Sequence, residues 1–449
     1  MRQLLVLNHE ALGERMTGPT IRNWEIARAL GREIEVTLAA PGEPGRTGDG
    51  FPVVGYGPAG IAGLVAEHSV VLASGYLLDR HPELGSARHL AVDLYDPFPL
   101  ENLHMHKAVP LAEQHRIAAA DRSVLTRLIR SGDVFFCASQ RQRDFWTGWL
   151  VSAGRVNPYV HEQDPALSSL LRLLPFGIDE RPPRPAARRF RGVLPGVGDD
   201  ALLVLWGGGI WNWFDPLTLI RAVDRVKDRL PQVRLVFPAS ASPSTEVPPM
   251  QMSANARRLS DELGLTGQLV FFGATWVPYE ERGGMLLEAD IGVSTHQLDV
   301  ETRYSFRTRI LDFLWASLPV LTTEGDSLAD LVSEHELGQV VGYGDVDGIA
   351  SALLRLADPD HRRRCSQRSG KSAAEFLWPK VVQPLLDYCR EPMPAPDRRA
   401  IAGEATWDRA LPEAGGAGRL GRRAIEILRR EGPGAVVSRG VRYVRRYRG

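Results

Sequence analysis

Four lysines, three cysteines and no apolar run long enough to span a bilayer set the first limits on this 449-residue chain. Cys137, Cys365 and Cys389 stand far apart, with neither zinc-site spacing nor a disulfide framework, which fits a reducing compartment. The opening MRQLLVLNHEALG has too short an apolar stretch for a signal peptide, so a cytoplasmic location is expected. Net charge is also missing: the formal total is zero, which gives no reason to expect a nucleic-acid partner. The balance is uneven, however. From Arg419 onward ten arginines face only Glu426 and Glu431, a surplus of +8, so residues 1–418 carry −8. With 44% hydrophobic and 24% charged residues, the composition is that of a globular protein of two or three domains.

Short apolar runs alternate with helical patterns through most of the chain. The runs Gln3–Asn8, Glu35–Ala40, Pro52–Tyr56, Val70–Ser74, His89–Tyr95 and Asp133–Ala138 read as buried strands, and Leu170–Ile178 closes the first set. A Pro- and Arg-rich stretch, Glu180–Asp200, follows as the best linker candidate. A second set then begins: Leu202–Trp206, Val233–Ala239, Leu269–Gly273, Ile291–Thr295, Val320–Thr323 and Gln339–Gly342. Asp215 and Pro216 open a helix between the first two as cap and first residue. Such βαβ alternation predicts an α/β chain of two doubly wound Rossmann-like domains, 1–179 and 180–370, facing each other across a ligand cleft. Residues 391–449 form a flexible segment and a basic tail.

The stretch His296–Pro319 is the most informative. Phe306, Ile310, Phe313 and Ser317 fall at helical spacing, which predicts a helix whose unpaired N–H groups lie near Ser305–Thr308. Arg303, Arg307 and Arg309 crowd that end, where the helix dipole already favours an anion and a phosphate would offset their repulsion. The competing reading is an i,i+3 surface pair of Arg309 with Asp312 and solvated arginines. At the first strand–helix turn of the second half, WGGGIWNW (Trp206–Trp213) lets the backbone approach a ligand between tryptophans, or else is simply a packed turn. It does not complete G-x-G-x-x-G, and no acid ends the following strand, which disfavours a dinucleotide-dependent dehydrogenase. In the first half Gly18 opens a helix onto the cleft. Asp96 stands at a strand's carboxyl edge, with His104 and His106 close behind. Asp93 reads as a substrate contact or as a hydrogen-bonded core acid. Trp276–Tyr279 offers an apolar platform for a base, or simple packing at a helix start.

Together these residues resemble the retaining glycosyltransferases of the GT-B fold, in particular family 4 of the sequence-based classification, over about residues 1–390. Asp312–Val320, DFLWASLPV, looks like that family's E-A-L-A-x-G-x-P-V, Pro175–Asp179 like its P-N-G-[VI]-D, and Gly273–Ser294 like its base-binding strand–helix–strand. The helix 371–389, with Trp378-Pro379, resembles the terminal helix that crosses back to the first domain. The resemblance implies sugar transfer with retention from a nucleotide-diphosphate sugar, without a metal or cofactor. It implies a ribose contact for Asp312, a donor-sugar contact for Glu301, and acceptor orientation by Asp96 or His104. The diphosphate would meet Arg307, Arg309 and helix N–H groups. Gly18, Gly207, Gly208, Trp211, Asn212, Trp276, Val277, Ser305 and Phe306 would complete the donor site. Two departures stand out: Tyr304 occupies the position of the family's first glutamate, and the usual Arg and Lys are absent from Trp206–Asp215.

Surface polysaccharide, glycolipid and natural-product glycoside are all acceptors compatible with this reading, lipid-linked or small. A nucleotide-sugar 2-epimerase and a non-catalytic nucleotide-sugar-binding subunit are the alternatives. Arginines interleaved with apolar residues over 419–447 suggest an amphipathic helix on an anionic membrane surface, against a solvated or docked tail.

Overall fold

The uninterrupted apolar runs are buried on both faces, as parallel strands covered by helices must be. In the computed structural model, which describes residues 2–57, 60–239, 249–274 and 276–403, they form two wholly parallel sheets. The first contains β1 (Arg2–Leu7), β2 (Val36–Pro41), β3 (Val53–Tyr56), β4 (His68–Ser74), β5 (His89–Asp93), β6 (Val134–Cys137) and β7 (Leu171–Leu173), in the order β3-β2-β1-β4-β5-β6-β7. The second contains β8 (Leu202–Trp206), β9 (Val233–Phe237), β10 (Val270–Phe272), β11 (Ile291–Ser294), β12 (Val320–Thr323) and β13 (Gly338–Val341), in the order β10-β9-β8-β11-β12-β13. Both belong to one unit, Met1–Arg398. The chain reverses its winding between β1 and β4 in one sheet and between β8 and β11 in the other. Loops after those strands therefore border the crevice where doubly wound sheets bind ligands.

The stretch Glu180–Asp200 is strapped down rather than loose. The Glu288 carboxylate accepts from the backbone N–H groups of Arg189, Phe190 and Arg191 at 2.7–3.0 Å. Trp315 Nε1 donates to the Arg181 carbonyl at 2.8 Å. At the Asp215 cap, one carboxylate oxygen accepts from Thr218 N at 3.0 Å, as the Asp-Pro signal predicts.

Two helices depart from expectation. The helix expected over 371–389 is broken into a 3₁₀ turn (Ala373–Phe376), a short helix (Trp378–Val381) and a second helix (Gln383–Arg390). Pro379 and Pro384 each sit in the first turn of a new segment, where a missing N–H costs nothing. The helix expected to begin near Ser305 is preceded by a separate turn, Val300–Tyr304. Ser305 is extended (φ −73°, ψ 154°), and the helix proper runs Thr308–Trp315. It ends at Ser317, whose φ of +54° explains why the resembled motif has glycine there. The stretch beyond Gly403, with its basic tail, lies outside the described residues. Among the described residues no helix is long and apolar enough to cross a membrane.

The return of the chain to the first sheet depends on one glycine. Ile178 bridges to Leu377, with Ile178 N donating to Phe376 O at 2.8 Å and Trp378 N to Ile178 O at 3.1 Å. The Trp378 ring is 2% exposed and lies directly over Gly177, where a Cβ would come within 2.5 Å of it. Gly177→Ala is expected to destabilise the fold by roughly 1–3 kcal/mol through overpacking. The urea midpoint of the variant measures this, and an unchanged midpoint would mean that the ring can move aside.

Candidate functional site

A cleft of about 630 Å³ opens between the carboxyl edges of the two sheets. Its second-sheet wall is built by the turn after β8. Gly207, Gly208 and Gly209 line it, and Gly208 has φ +97°. A Cβ on Gly207 would meet Phe313 at 2.9 Å, and one on Gly209 would meet the Trp276 ring at 3.0 Å. These glycines thus allow a sharp turn and close ring packing at the edge of the cleft. Trp211 stacks on Trp213 with ring centroids 5.7 Å apart, and Trp276 lies 6.4 Å from Trp211. Trp211, Trp276, Val277 and Phe306 all face the cleft, and Gly18 faces it from the other sheet.

Arg307 and Arg309 both stack on the Phe214 ring, at 5.0 and 3.9 Å, but their circumstances differ. Arg307 is held in a buried bidentate pair with Glu301, Nη1–Oε1 2.9 Å and Nη2–Oε2 2.5 Å. Burial would lower its pKa, but Glu301 more than offsets this and the guanidinium ends up raised. Arg309 has no carboxylate. Its Nη2 donates to the Gly209 carbonyl at 3.1 Å, and its Nη1 is buried with no hydrogen-bond partner. Burial, reinforced by the neighbouring Arg307, pushes this guanidinium down to about 9. The helix Thr308–Trp315 begins here with no side-chain cap, and Thr308 lines the cleft. A buried cation with no salt-bridge partner, beside an uncapped helix start and a glycine turn, is an arrangement suited to binding an anion.

Glu301 is fully buried, does not line the cleft, and accepts from Arg307 and from the Ser305 hydroxyl. The donor-sugar contact expected for Glu301 and the donor contact expected for Ser305 therefore do not fit their placement. Both are consumed in fixing Arg307, which faces the cleft with its two terminal nitrogens already engaged. Asn212 is likewise structural: its Nδ2 donates to His104 O at 3.1 Å and its Oδ1 accepts from Met252 N at 3.0 Å. His104 is 9% exposed and sits at the seam, with Nε2 3.1 Å from Asp299 Oδ2, so it orients no acceptor here. Asp312 does line the cleft. Its Oδ1 accepts from Arg282 Nε at 3.3 Å, and burial raises its carboxyl despite that cation.

On the first-sheet wall, Arg22 binds Asp93 through Nε at 2.6 Å and Nη2 at 3.0 Å, which resolves Asp93 as a paired core acid. Asp96 lines the cleft and shares a hydrogen bond with Glu101, a residue that sequence reasoning passed over. Burial pushes Asp96 up to about 6, and burial together with Asp96 raises Glu101 further. The only available signal was position: Glu101 lies in the first turn of the helix Phe98–Met105 that follows Asp96. The two walls are tied by side chains at the rims. Gln142 Nε2 donates to both Tyr95 O (2.7 Å) and Tyr304 O (2.9 Å), and Arg15 Nε donates to Trp276 O (2.8 Å).

Comparison with known proteins bears on the fold. No sequence-family profile matches the chain. It is 27% identical over 239 residues to the D-inositol 3-phosphate glycosyltransferase of Saccharomonospora viridis, which is 51% of this chain and 52% of that protein. The chain thus matches about half the length of this curated relative. Among solved structures it is similar to a sucrose-phosphate synthase from Thermosynechococcus elongatus, with TM-score 0.61, 15% identity, and 87% and 99% of the two chains covered. Anabaena Alr3699/HepE, solved with UDP and glucose, gives TM-score 0.61 and 14% identity, covering 87% and 100%. The architecture is therefore GT-B: two parallel α/β domains, as the sequence predicts.

Behind Arg307 lies a buried polar cluster. His296 Nδ1, Asp326 Oδ2, Ser327 Oγ and Arg307 Nε are all buried without hydrogen-bond partners, and His296 Nδ1 is 3.8 Å from Asp326 Oδ2. Asp326 Oδ1 caps the next helix through Leu328 N and Ala329 N. Burial raises its carboxyl from 3.8 to about 6. A raised folded-state pKa stabilises the fold most at low pH, and the contribution is lost as pH rises from about 4 through 6. Asp326→Asn, which keeps the cap, should therefore gain on wild type by about 3 kcal/mol across that window. Chemical denaturation of both proteins as a function of pH measures the gain. A constant difference would show that Asp326 does not titrate there.

Proposed function

We propose that the protein is a glycosyltransferase that moves a sugar, with retention, from a nucleotide-diphosphate donor to an acceptor held on the first-sheet side of the cleft. The observation that carries this reading is Arg309: a buried guanidinium without a carboxylate, at an uncapped helix start, inside a GT-B cleft. The diphosphate would occupy the space beside it, the base would meet Trp211 and Trp276, and Asp312 would accept from the ribose. As the glycosidic bond breaks, the leaving diphosphate gains charge, and Arg309 with the helix N–H groups would stabilise that charge more in the transition state than in the ground state. Arg307, neutralised by Glu301, would support the site by position rather than by net charge. The UDP named for Alr3699/HepE makes a UDP-sugar the first donor to try. Retention rests on the family resemblance of the motifs.

One observation favours a second reading. Tyr304 replaces the expected carboxylate and Glu301 is locked away from the cleft, which suits a subunit that binds nucleotide sugar without turning it over. The Asp96–Glu101 pair argues for the enzyme, because it supplies carboxyl groups to the opposite wall. Release of UDP from UDP-sugar in the presence of an acceptor panel separates the two readings.

Arg309→Leu removes a charge-assisted hydrogen-bond donor and is expected to weaken UDP binding roughly ten- to a hundredfold, while binding of uridine changes little. Calorimetric titration with each ligand checks this. Equal losses for UDP and uridine would mean that Arg309 does not meet the diphosphate.

A further inference from the structure

Chemistry on the first-sheet wall is left unused by the donor. Asp96 and Glu101 line the cleft as neighbours, and burial together with their mutual repulsion disfavours double ionisation of the pair. The charges acting on the pair are Glu301, Asp93 and Arg307, two of them negative. Two of the nearby cations are already committed, Arg22 to Asp93 and Arg307 to Glu301. Beside the pair, Asn102 and Tyr76 also line the cleft, fixed by Asn102 Nδ2 to Tyr76 Oη at 2.8 Å and Tyr76 Oη to Asp121 Oδ1 at 2.6 Å. The second-sheet wall has the opposite character, since Arg309 lines it with an unpartnered buried nitrogen. The cleft is thus polarised, attracting anions on one side and repelling them on the other.

We propose, resting on the glycosyltransferase reading above, that the acceptor is a polyol whose cleft-facing end bears no phosphate or carboxylate, held by Asp96 and Glu101 through its hydroxyl groups. A carboxyl pair accepts hydrogen bonds from several hydroxyls at once, and its remaining charge rejects an anionic substituent at close range. Selection of this kind combines attraction with deliberate repulsion. Asp96 and Glu101 are thereby specificity-determining residues, distinct from the diphosphate contacts.

The test uses the full chain loaded with UDP and matched probes: a cyclitol and a hexose, each with its monophosphate ester, followed by saturation-transfer NMR. Wild type is expected to bind each neutral member at least about tenfold tighter than its monophosphate. The double variant Asp96→Asn, Glu101→Gln is expected to bring the two within about threefold, with UDP affinity retained as proof of folding. Three results would overturn the proposal: monophosphates bound as well as or better than their parents, no neutral member bound at millimolar concentration, or a ratio untouched by the double variant. Failure of wild type to bind UDP at all would be read separately, as overturning the glycosyltransferase reading and this proposal with it.

Discussion

Two guanidinium groups stack on one phenylalanine ring, and only one of them is paired with a carboxylate in a salt bridge. That asymmetry organises the second half of the molecule. Arg307 and Arg309 both contact Phe214, whose own segment is held by Gln297 through the carbonyls of Asn212 and Phe214 at 3.0 and 3.1 Å. Two buried cations so close together would repel strongly in a low-dielectric interior. Glu301 neutralises one of them, and in doing so fixes the turn Val300–Tyr304 and the extended Ser305 that set the start of the next helix. The other cation keeps a buried nitrogen without a hydrogen-bond partner.

Removing one partner of a buried pair strands the other, so the Glu301–Arg307 contact constrains the whole loop rather than adding net stability. Loop position then governs the seam. Tyr304 O accepts from Gln142, whose same nitrogen holds Tyr95 O next to Asp96. A single amide therefore links the segment that places the arginines to the segment that places the carboxyl pair. The two walls of the cleft are held in register by short polar contacts at the rims, while Arg309, lining the cleft, keeps a nitrogen with no hydrogen-bond partner.

Much of this was legible in the sequence, and the reason is burial. Runs such as Leu202–Trp206 and Ile291–Thr295 lack polar alternation because both faces are covered, so strand positions and the doubled α/β plan could be read directly. That the glycine turn, the tryptophans, Asp312 and the two arginines gather at the cleft was legible for the same local reasons. Pairing was not. Glu301 and Arg307 are six residues apart, a spacing that matches no helix face. They meet only because the chain is extended at Ser305, which no strong breaker announces. Asn212 and His104 looked like site residues because of where they stand in the chain, but their side chains and carbonyls meet across the seam. Glu101 escaped notice because a glutamate in the first turn of a helix is ordinary until its neighbour is known.

The central claim is that the unpaired Arg309, and not Arg307, receives the anionic part of the donor. A crystal structure of the UDP complex tests it most directly. The account predicts a diphosphate oxygen within hydrogen-bond distance of Arg309 Nη1 and of the first N–H groups of the helix Thr308–Trp315, with the Arg307–Glu301 pair intact. A diphosphate bound to an Arg307 released from Glu301, with Arg309 Nη1 still unpartnered, would contradict it.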